Sequence, residues 1–377
     1  MGDRSIPRHR HSDYETASRV SNIFAEKPRT RRVSIYSASS NNLHERACRW
    51  VVNSRDPSWT QTTIIDALTS LSHLQDVCLT LHYGPFPLLQ LFRLSGLKKI
   101  SLTGSCINYR SNIIAGLAEA IAKSPELVYL EVNTATYVRS PEIPTLHDLF
   151  SKIPSGSLLR LTHLVLVGMF ARIDSHTIPH LRSLVCLDLS HLYEPSPTDD
   201  SDQTRGCVST ITDIYATLNL EKIHPKHIVV NGIVNDIILD YLYSHSGLVA
   251  LELCSIFSRS VGESKGLSHR FYMSVLARHV DSLQVLKINP RYEGGWCYNV
   301  DDVSQAVVLA QCNKLRSLSM SVTLNSASDI PPNQLTVDSP HGDPSYNGNN
   351  FDDMVGCGDY LTAFLYLPDH HGTRSHH

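Results

Sequence analysis

The chain has 377 residues, 42% of them hydrophobic, and a formal net charge of -3 from 33 Lys and Arg against 36 Asp and Glu. That is ample apolar material for a core, and the near balance of charge gives no overall pull toward nucleic acid. No apolar run reaches the roughly 18–20 residues of a membrane span and the Arg-rich, polar N-terminus lacks a signal-peptide core, so the expected setting is cytoplasmic or nuclear, with no nucleic acid and no membrane as partner.

Residues 1–42 carry eight Arg or Lys against four Asp or Glu and few apolar side chains. They predict a flexible basic arm in which Val33 and Ile35 add a leading strand. Within it, Arg31-Arg-Val-Ser34 has the basic-x-Ser form that basophilic kinases accept, which makes Ser34 the phosphorylation candidate. Residues 43–324 read as one repeat domain. Its N-terminal cap is a helix carrying Ile64, Ile65, Leu68 and Leu71 after the Pro57-Ser58 start signal. The pattern apolar-x-x-apolar-x-apolar then returns nine times, from Leu74, Leu97, Leu127, Leu161, Leu184, Pro225, Leu248, Leu283 and Leu315.

That pattern is the strand signature of a leucine-rich repeat, and nine copies in a row decide the architecture. Between copies the apolar period changes from two to about 3.6, as a strand followed by a covering helix requires. The helical stripes are Ile113, Ile114, Leu117, Ala118 and Ile121; then Leu146, Leu149, Phe150 and Ile153; then Ile211, Ile214, Tyr215 and Leu218. Ile237, Ile238, Tyr241 and Leu242 form the next, followed by Phe271, Tyr272, Val275 and Leu276, and by Val303, Val307 and Val308. The expected fold is an α/β, irregular leucine-rich-repeat solenoid, a horseshoe with parallel strands on its concave face and helices on its convex face. Starts lie 23, 30, 34, 23, 41, 23, 35 and 32 residues apart, so the stacking is uneven and carries insertions. One of these, residues 194–206, reads as an acidic surface loop. Residues 325–353, rich in Pro, Asn, Asp, Ser and Gly, predict a polar loop or disordered segment. Residues 354–377 predict a C-terminal capping helix, through Tyr360, Leu361, Phe364, Leu365 and Leu367, and a His-rich tail.

In L-x-x-L-x-L-x the leucines face the core, and strand alternation sends the third, fifth and seventh positions to the concave side. The partner-binding candidates on that face are Lys99, Ser101, Tyr129, Glu131, Asn133, His163, Asp188, His227, Asn231, Glu252, Lys287 and Asn289, with Thr103, Ser190, Ser317 and Ser319 beside them. A polar mixture of both signs around one aromatic anchor, Tyr129, suits protein recognition. Val165, Val167, Cys186, Val229, Ala250 and Val285 share the face and mark part of it for cover by a loop or partner.

Segments such as Leu127-Val-Tyr-Leu-Glu-Val132, Leu184-Val-Cys-Leu-Asp-Leu189, Leu248-Val-Ala-Leu-Glu-Leu253 and Tyr360-Leu-Thr-Ala-Phe-Leu365 followed by Pro368 carry a resemblance of architecture. Over roughly residues 57–367 the chain resembles the leucine-rich-repeat region of fungal F-box-type proteins. The resemblance implies repeats that hold a target protein, and an N-terminal F-box bundle that docks on a ubiquitin-ligase adaptor. The first 45 residues lack the Leu-Pro-x-Glu opening and the apolar helical run of an F-box, with Val20, Ile23 and Phe24 its only trace. The expected function is a non-catalytic protein interaction scaffold, in the specific form of ubiquitin-ligase target recognition.

The rival reading is a serine hydrolase built on Gly262-Glu-Ser-Lys-Gly266, a G-x-S-x-G match that makes Ser264 the nucleophile. An elbow serine follows its strand directly, whereas eight residues separate Cys254 from Gly262, so a Gly/Ser linker before a helix starting near Ser268 is the expectation. Neither a metal nor a cofactor is expected: the nine cysteines form no C-x-x-C pair, the paired histidines lie near the chain ends, and no phosphate-binding glycine loop is present. The cysteines read as reduced thiols.

Overall fold

The computed structural model describes residues 33–37, 46–53, 56–82, 89–104, 111–134, 144–169, 171–190, 192, 209–258, 260–292, 294–298, 303–322 and 362–366. The acidic insertion at 194–206, the segment 325–353 and the His-rich tail lie outside them.

Each of the nine apolar repeats becomes a strand. In chain order they are β3 (Leu74–Leu81), β4 (Lys99–Gly104), β5 (Tyr129–Asn133), β6 (His163–Val167), β7 (Cys186–Asp188), β8 (His227–Ile233), β9 (Ala250–Phe257), β10 (Val285–Pro290) and β11 (Ser317–Ser321). Two strands precede them, β1 (Val33–Ser37) and β2 (Arg46–Val52), and β12 (Thr362–Tyr366) follows. All twelve make one sheet in sequence order. β2 to β11 are parallel, giving a ten-stranded parallel sheet, while β1 and β12 close its ends antiparallel.

Eight helices occur among the described residues: α1 (Ser58–Thr69), α2 (Ser111–Ala122), α3 (Leu146–Phe150), α4 (Ile178–Leu181), α5 (Ile211–Leu220), α6 (Asp236–Tyr243), α7 (Val261–Arg270) and α8 (Val303–Gln311). The fold is therefore α/β. Helix stripes and the inward strand residues form one continuous core, in which Leu130, Leu164, Leu251 and Leu286 are at most 1% exposed. None of the described helices is long and apolar enough to cross a membrane, and the described cysteines Cys48, Cys78, Cys186, Cys254, Cys297 and Cys312 are free thiols.

Spacing between repeats decides what fits in each connection. Two of the 23-residue intervals leave room only for a 3-10 turn, Leu91–Arg93, and for the single turn of α4. Where a helix fits, its start is encoded by a cap. Thr145 and Thr210 each accept from the N–H three residues on and receive the Asp148 or Asp213 carboxylate on their own N–H, a capping box that satisfies orphan donors of the first turn. Replacing Thr210 by Ala is expected to lower stability by about 1 kcal/mol, measured by chemical denaturation.

A second device recurs just before the strands. Ser124 Oγ accepts from the N–H of Leu97 at 3.0 Å, His180 Nδ1 from Leu159 at 3.1 Å, and His279 Nδ1 from Leu248 at 3.4 Å. Each partner lies 21 to 31 residues earlier, so one buried polar side chain per junction staples a repeat to the one before it. His279 also donates through Nε2 to the Leu242 carbonyl at 2.9 Å, which requires its neutral form. His180 and His279 thus have structural roles.

Several expectations need correction. β2 is a strand the repeat count leaves out, although Cys48, Trp50 and Val52 alternate inward along it. The predicted C-terminal capping helix is instead β12: antiparallel pairing of Thr362–Tyr366 satisfies the outer N–H and C=O groups of β11, which a helix would leave open. α6 starts from the Asn235 cap, so its buried stripe runs through Ile238, Leu239, Tyr241 and Leu242, leaving Ile237 exposed. Val307 is likewise exposed on α8. Gly262 to Gly266 is no linker: it forms the first turns of α7, because Ser260 caps the N–H of Glu263 and that carboxylate sits in the positive first turn. Phe271, Tyr272, Val275 and Leu276 are buried as expected, on a π turn and a 3-10 turn that continue α7.

Candidate functional site

On the sheet face opposite the core, strand register lines side chains up in rows across the sheet, with neighbouring strands about 4.8 Å apart. The first row reads Asp76, Lys99, Tyr129, His163, Cys186, His227, Ala250, Val285 and Ser317. The second is Cys78, Ser101, Glu131, Val165, Asp188, Val229, Glu252, Lys287 and Ser319. A third brings Thr103, Asn133 and Val167 together on one side, and Asn231, Cys254 and Asn289 on the other.

All twelve candidate residues therefore lie on one face, and none belongs to the core. Ser319 differs: it is 7% exposed, so the face is covered at β11. The residues not foreseen there include Asp76 and Cys78 of β3, whose leading repeat is slightly irregular in the sequence, and Cys254 of β9, and the Val165 and Val229 spacers take on a role that only the register reveals.

The rows differ in chemistry. The first row carries Lys99, which pairs with Asp76, and the imidazoles of His163 and His227. Glu131, Asp188 and Glu252 make the second acidic, one carboxylate on every other strand, about 10 Å apart, with Val165 and Val229 between them. The third, interrupted at β7, carries the amides of Asn133, Asn231 and Asn289 with Thr103, Val167 and Cys254. Contacts across and along the strands hold these groups in place: Ser101 of β4 donates to Glu131 at 2.7 Å, and the hydroxyl of Tyr129, on the same strand as Glu131, donates to the same carboxylate oxygen at 3.1 Å. Lys287 pairs with Glu252 at 3.2 Å and Lys99 with Asp76 at 3.6 Å. Asp188 is oriented by Ser190, whose N–H at 2.9 Å and hydroxyl at 2.5 Å both donate to it. The Tyr129 ring lies 5.7 Å from that of His163, and its hydroxyl bond to Glu131 joins the first row to the acidic one.

The field of the acidic row is visible in its neighbours. Burial, then Glu131 beside it, pushes the Tyr129 hydroxyl up to about 12. Burial first, then Asp188 and Glu252, raises the Cys186 thiol. Asp188 itself is raised, chiefly by burial against the opposing Ser190 hydrogen bonds, with Glu252 and Glu131 adding to it. His163 is lowered by burial, then by His227 and Lys99. These groups are polar, of fixed geometry and partly dry, which strengthens their interaction with a complementary surface.

Two other candidates remain. Ser34 lies in β1 opposite Arg49, whose partner on β3 is Cys78, so its register position continues the second row, and Arg31 and Arg32 are outside the described residues. Ser264 sits in α7 with its N–H bonded to the Ser260 carbonyl at 3.0 Å, in ordinary helical geometry. A side-chain carbon added at Gly262 or Gly266 would meet nothing within 4 Å, so neither glycine serves the tight strand-to-helix turn of an elbow. Among the described residues, no three His, Cys, Asp or Glu side chains gather as metal ligands would. Neither the family models, the curated proteins nor the solved structures compared with the chain gave a match.

Proposed function

We propose that this chain is an irregular leucine-rich-repeat horseshoe whose strand face holds a segment of another protein, acting as a non-catalytic interaction scaffold in the cytoplasm or nucleus. The observation that supports it most is the striping of that face: an acidic row, with one carboxylate on every other strand from β5 to β9, runs beside the row of Lys99, Tyr129, His163 and His227, at about 4.8 Å per strand. A partner laid across β5 to β10 meets three spaced carboxylates and then Lys287, which fixes direction and register as well as affinity. Tyr129 supplies the aromatic anchor and the valine spacers an apolar floor. Target recognition for a ubiquitin ligase is the form that the F-box-type resemblance adds.

The reading is tested by placing a photocrosslinking residue at positions 131 and 252 of the strand face and, as controls, at the exposed helix-side positions 123 and 148, in cells. The same partner should crosslink from 131 and 252 and not from the controls, and Asp188→Lys should abolish both crosslinks. Crosslinking equally from both sides, or only from 123 and 148, would remove the strand face from the proposal. Recovery of a ligase adaptor and cullin with the chain would support the ligase form, and their absence beside a crosslinked target would restrict the function to scaffolding. Ser264→Ala should leave the crosslinks unchanged, whereas loss of a hydrolytic turnover in that variant would favour the rival reading.

A further inference from the structure

Strands β9 and β10 part at their C-terminal ends. Ser255 adopts φ +48, one of two positive values for residues other than glycine among the described residues, and the register shifts so that Ile256 pairs with Pro290. This bulge carries the chain on through Phe257 and Ser258 to the Ser260 cap of α7. The connection after β10 turns back beneath α7 and is pressed against it at Gly295, where a side-chain carbon would lie 2.3 Å from Ser268 Oγ and 3.3 Å from Lys265 Cα. At the far end of α7 the π turn Phe271–Val275 sets Tyr272 so that its hydroxyl donates to the Trp296 carbonyl at 3.1 Å. A bulge, a positive φ and a π turn each cost free energy, and such features concentrate where a site is being shaped. Here all three occur within a single repeat, around one cavity.

The cavity has a volume of about 620 Å³, the size that holds a small organic molecule. Its apolar lining includes Phe257, Tyr272, Tyr292 and Trp296. Trp296 is 2% exposed and its indole N–H has no acceptor among the described residues. Arg291 lies over both Phe257 and Tyr292, at 5.9 and 5.6 Å from the ring centroids, and holds these two rings as a pair. The polar lining is different in kind from the strand face: it includes hydroxyls of Ser258, Ser260, Ser264 and Ser268, with Lys265 and His269 as basic members and no carboxylate among the described lining residues. No described group pairs with the Lys265 ammonium. α7, ten residues long, begins at the cavity wall, and the Glu263 carboxylate of its first turn answers its positive end.

We infer that this cavity binds a small aromatic anion, a flat ring system bearing a carboxylate or a phosphate. The rings would receive the aromatic body. Lys265 and the hydroxyls of Ser258 and Ser264 would receive the anionic group. This is independent of the strand-face reading, since the cavity lies at the strand ends beneath α7 and shares no residue with the three rows.

Calorimetric titration of the full chain tests the inference with 2-naphthoate as the carboxylate probe, adenosine 5′-monophosphate as the phosphate probe and 2-naphthylmethanol as the uncharged control. At least one anion should give a saturable one-to-one isotherm at least tenfold tighter than the alcohol, and which one binds identifies the anionic group. Lys265→Glu should weaken that anion at least tenfold, and Ser264→Phe, which fills the cavity, should abolish binding with an unchanged circular dichroism spectrum and melting temperature. Lys265 is exposed, so its variant decides the matter alone if Ser264→Phe does not fold. Absence of a saturable isotherm for both anions, equal binding of the alcohol, or unchanged affinity in the folded variants would overturn the inference.

Discussion

Acidification from pH 6.5 to pH 4 should remove about 3 kcal/mol of stability through one side chain, His245. It is buried between repeats, its ring stacked on His224 with centroids 4.4 Å apart and 5.6 Å from the ring of His279. Nδ1 meets the Tyr241 carbonyl at 3.0 Å and Nε2 has no partner. Burial first, then the fields of His224 and His279, lower it from 6.5 to about 4. Above pH 6.5 the ring is neutral both folded and unfolded and the fold keeps its full stability. As pH falls below 6.5 the unfolded chain takes up a proton that the folded chain refuses, so stability declines until the folded ring also titrates near pH 4. At about 1.4 kcal/mol per pKa unit, that difference amounts to about 3 kcal/mol. His224, His279 and His180 are lowered as well and act in the same direction. Asp188, whose carboxyl is raised, opposes them in the lower part of the window, whereas Asp174 is lowered and acts only below it.

The measurement is urea unfolding at pH 7.5, 5.5 and 4.5 for the native chain and His245→Phe. The phenyl ring keeps the stacking, removes one hydrogen bond and removes an orphaned acceptor, so the two proteins should differ by no more than about 1 kcal/mol at pH 7.5. Below pH 6 the variant should fall off less steeply. Parallel curves would show that protons enter elsewhere.

The strands were legible because their signal is redundant. A leucine that must face inward at period two is repeated at nine places, and any single irregular copy, such as Leu74 to Leu79, is rescued by the rest. β2 escaped for the opposite reason: Cys48, Trp50 and Val52 point inward as well as any leucine, but they do not match the repeat. α7 escaped because helix propensity argues against Gly262 and Gly266, and the Ser260 cap outweighs it. For the site, alternation alone was enough to put the candidates on one side of the strands, yet the charge rows were invisible. Which carboxylate lies beside which lysine depends on the register between strands separated by 23 to 41 residues, and that register is set by packing of the intervening connections. The cavity beneath α7 was beyond reach for the same reason, since its walls come from three separate segments.

Gly168→Ala should be among the most damaging single-methyl substitutions in the chain, costing several kcal/mol, and its damage should remain local. Gly168 ends β6 at φ +65, a region where a side chain is strained. An added carbon there would lie 2.4 Å from the Thr134 carbonyl oxygen and 2.5 Å from Thr134 Oγ1. Neither neighbour can retreat without loss. Thr134 N–H bonds the Val167 carbonyl at 2.9 Å, its hydroxyl bonds the Gly168 carbonyl, and Gly168 N–H bonds Ser190 at 3.3 Å, so this glycine locks the ends of β5, β6 and β7 together. Because every strand pairs only with its sequence neighbours, the loss passes along the sheet through one interface at a time. Amide hydrogen exchange should then show Leu130, Leu164 and Leu187 losing protection in the variant while Leu251 and Leu286, three or more strands away, retain theirs when denaturant is absent. Uniform loss across all five leucines would mean that the sheet unfolds as one cooperative unit, and that strand-to-strand interfaces are stronger than the repeats they join.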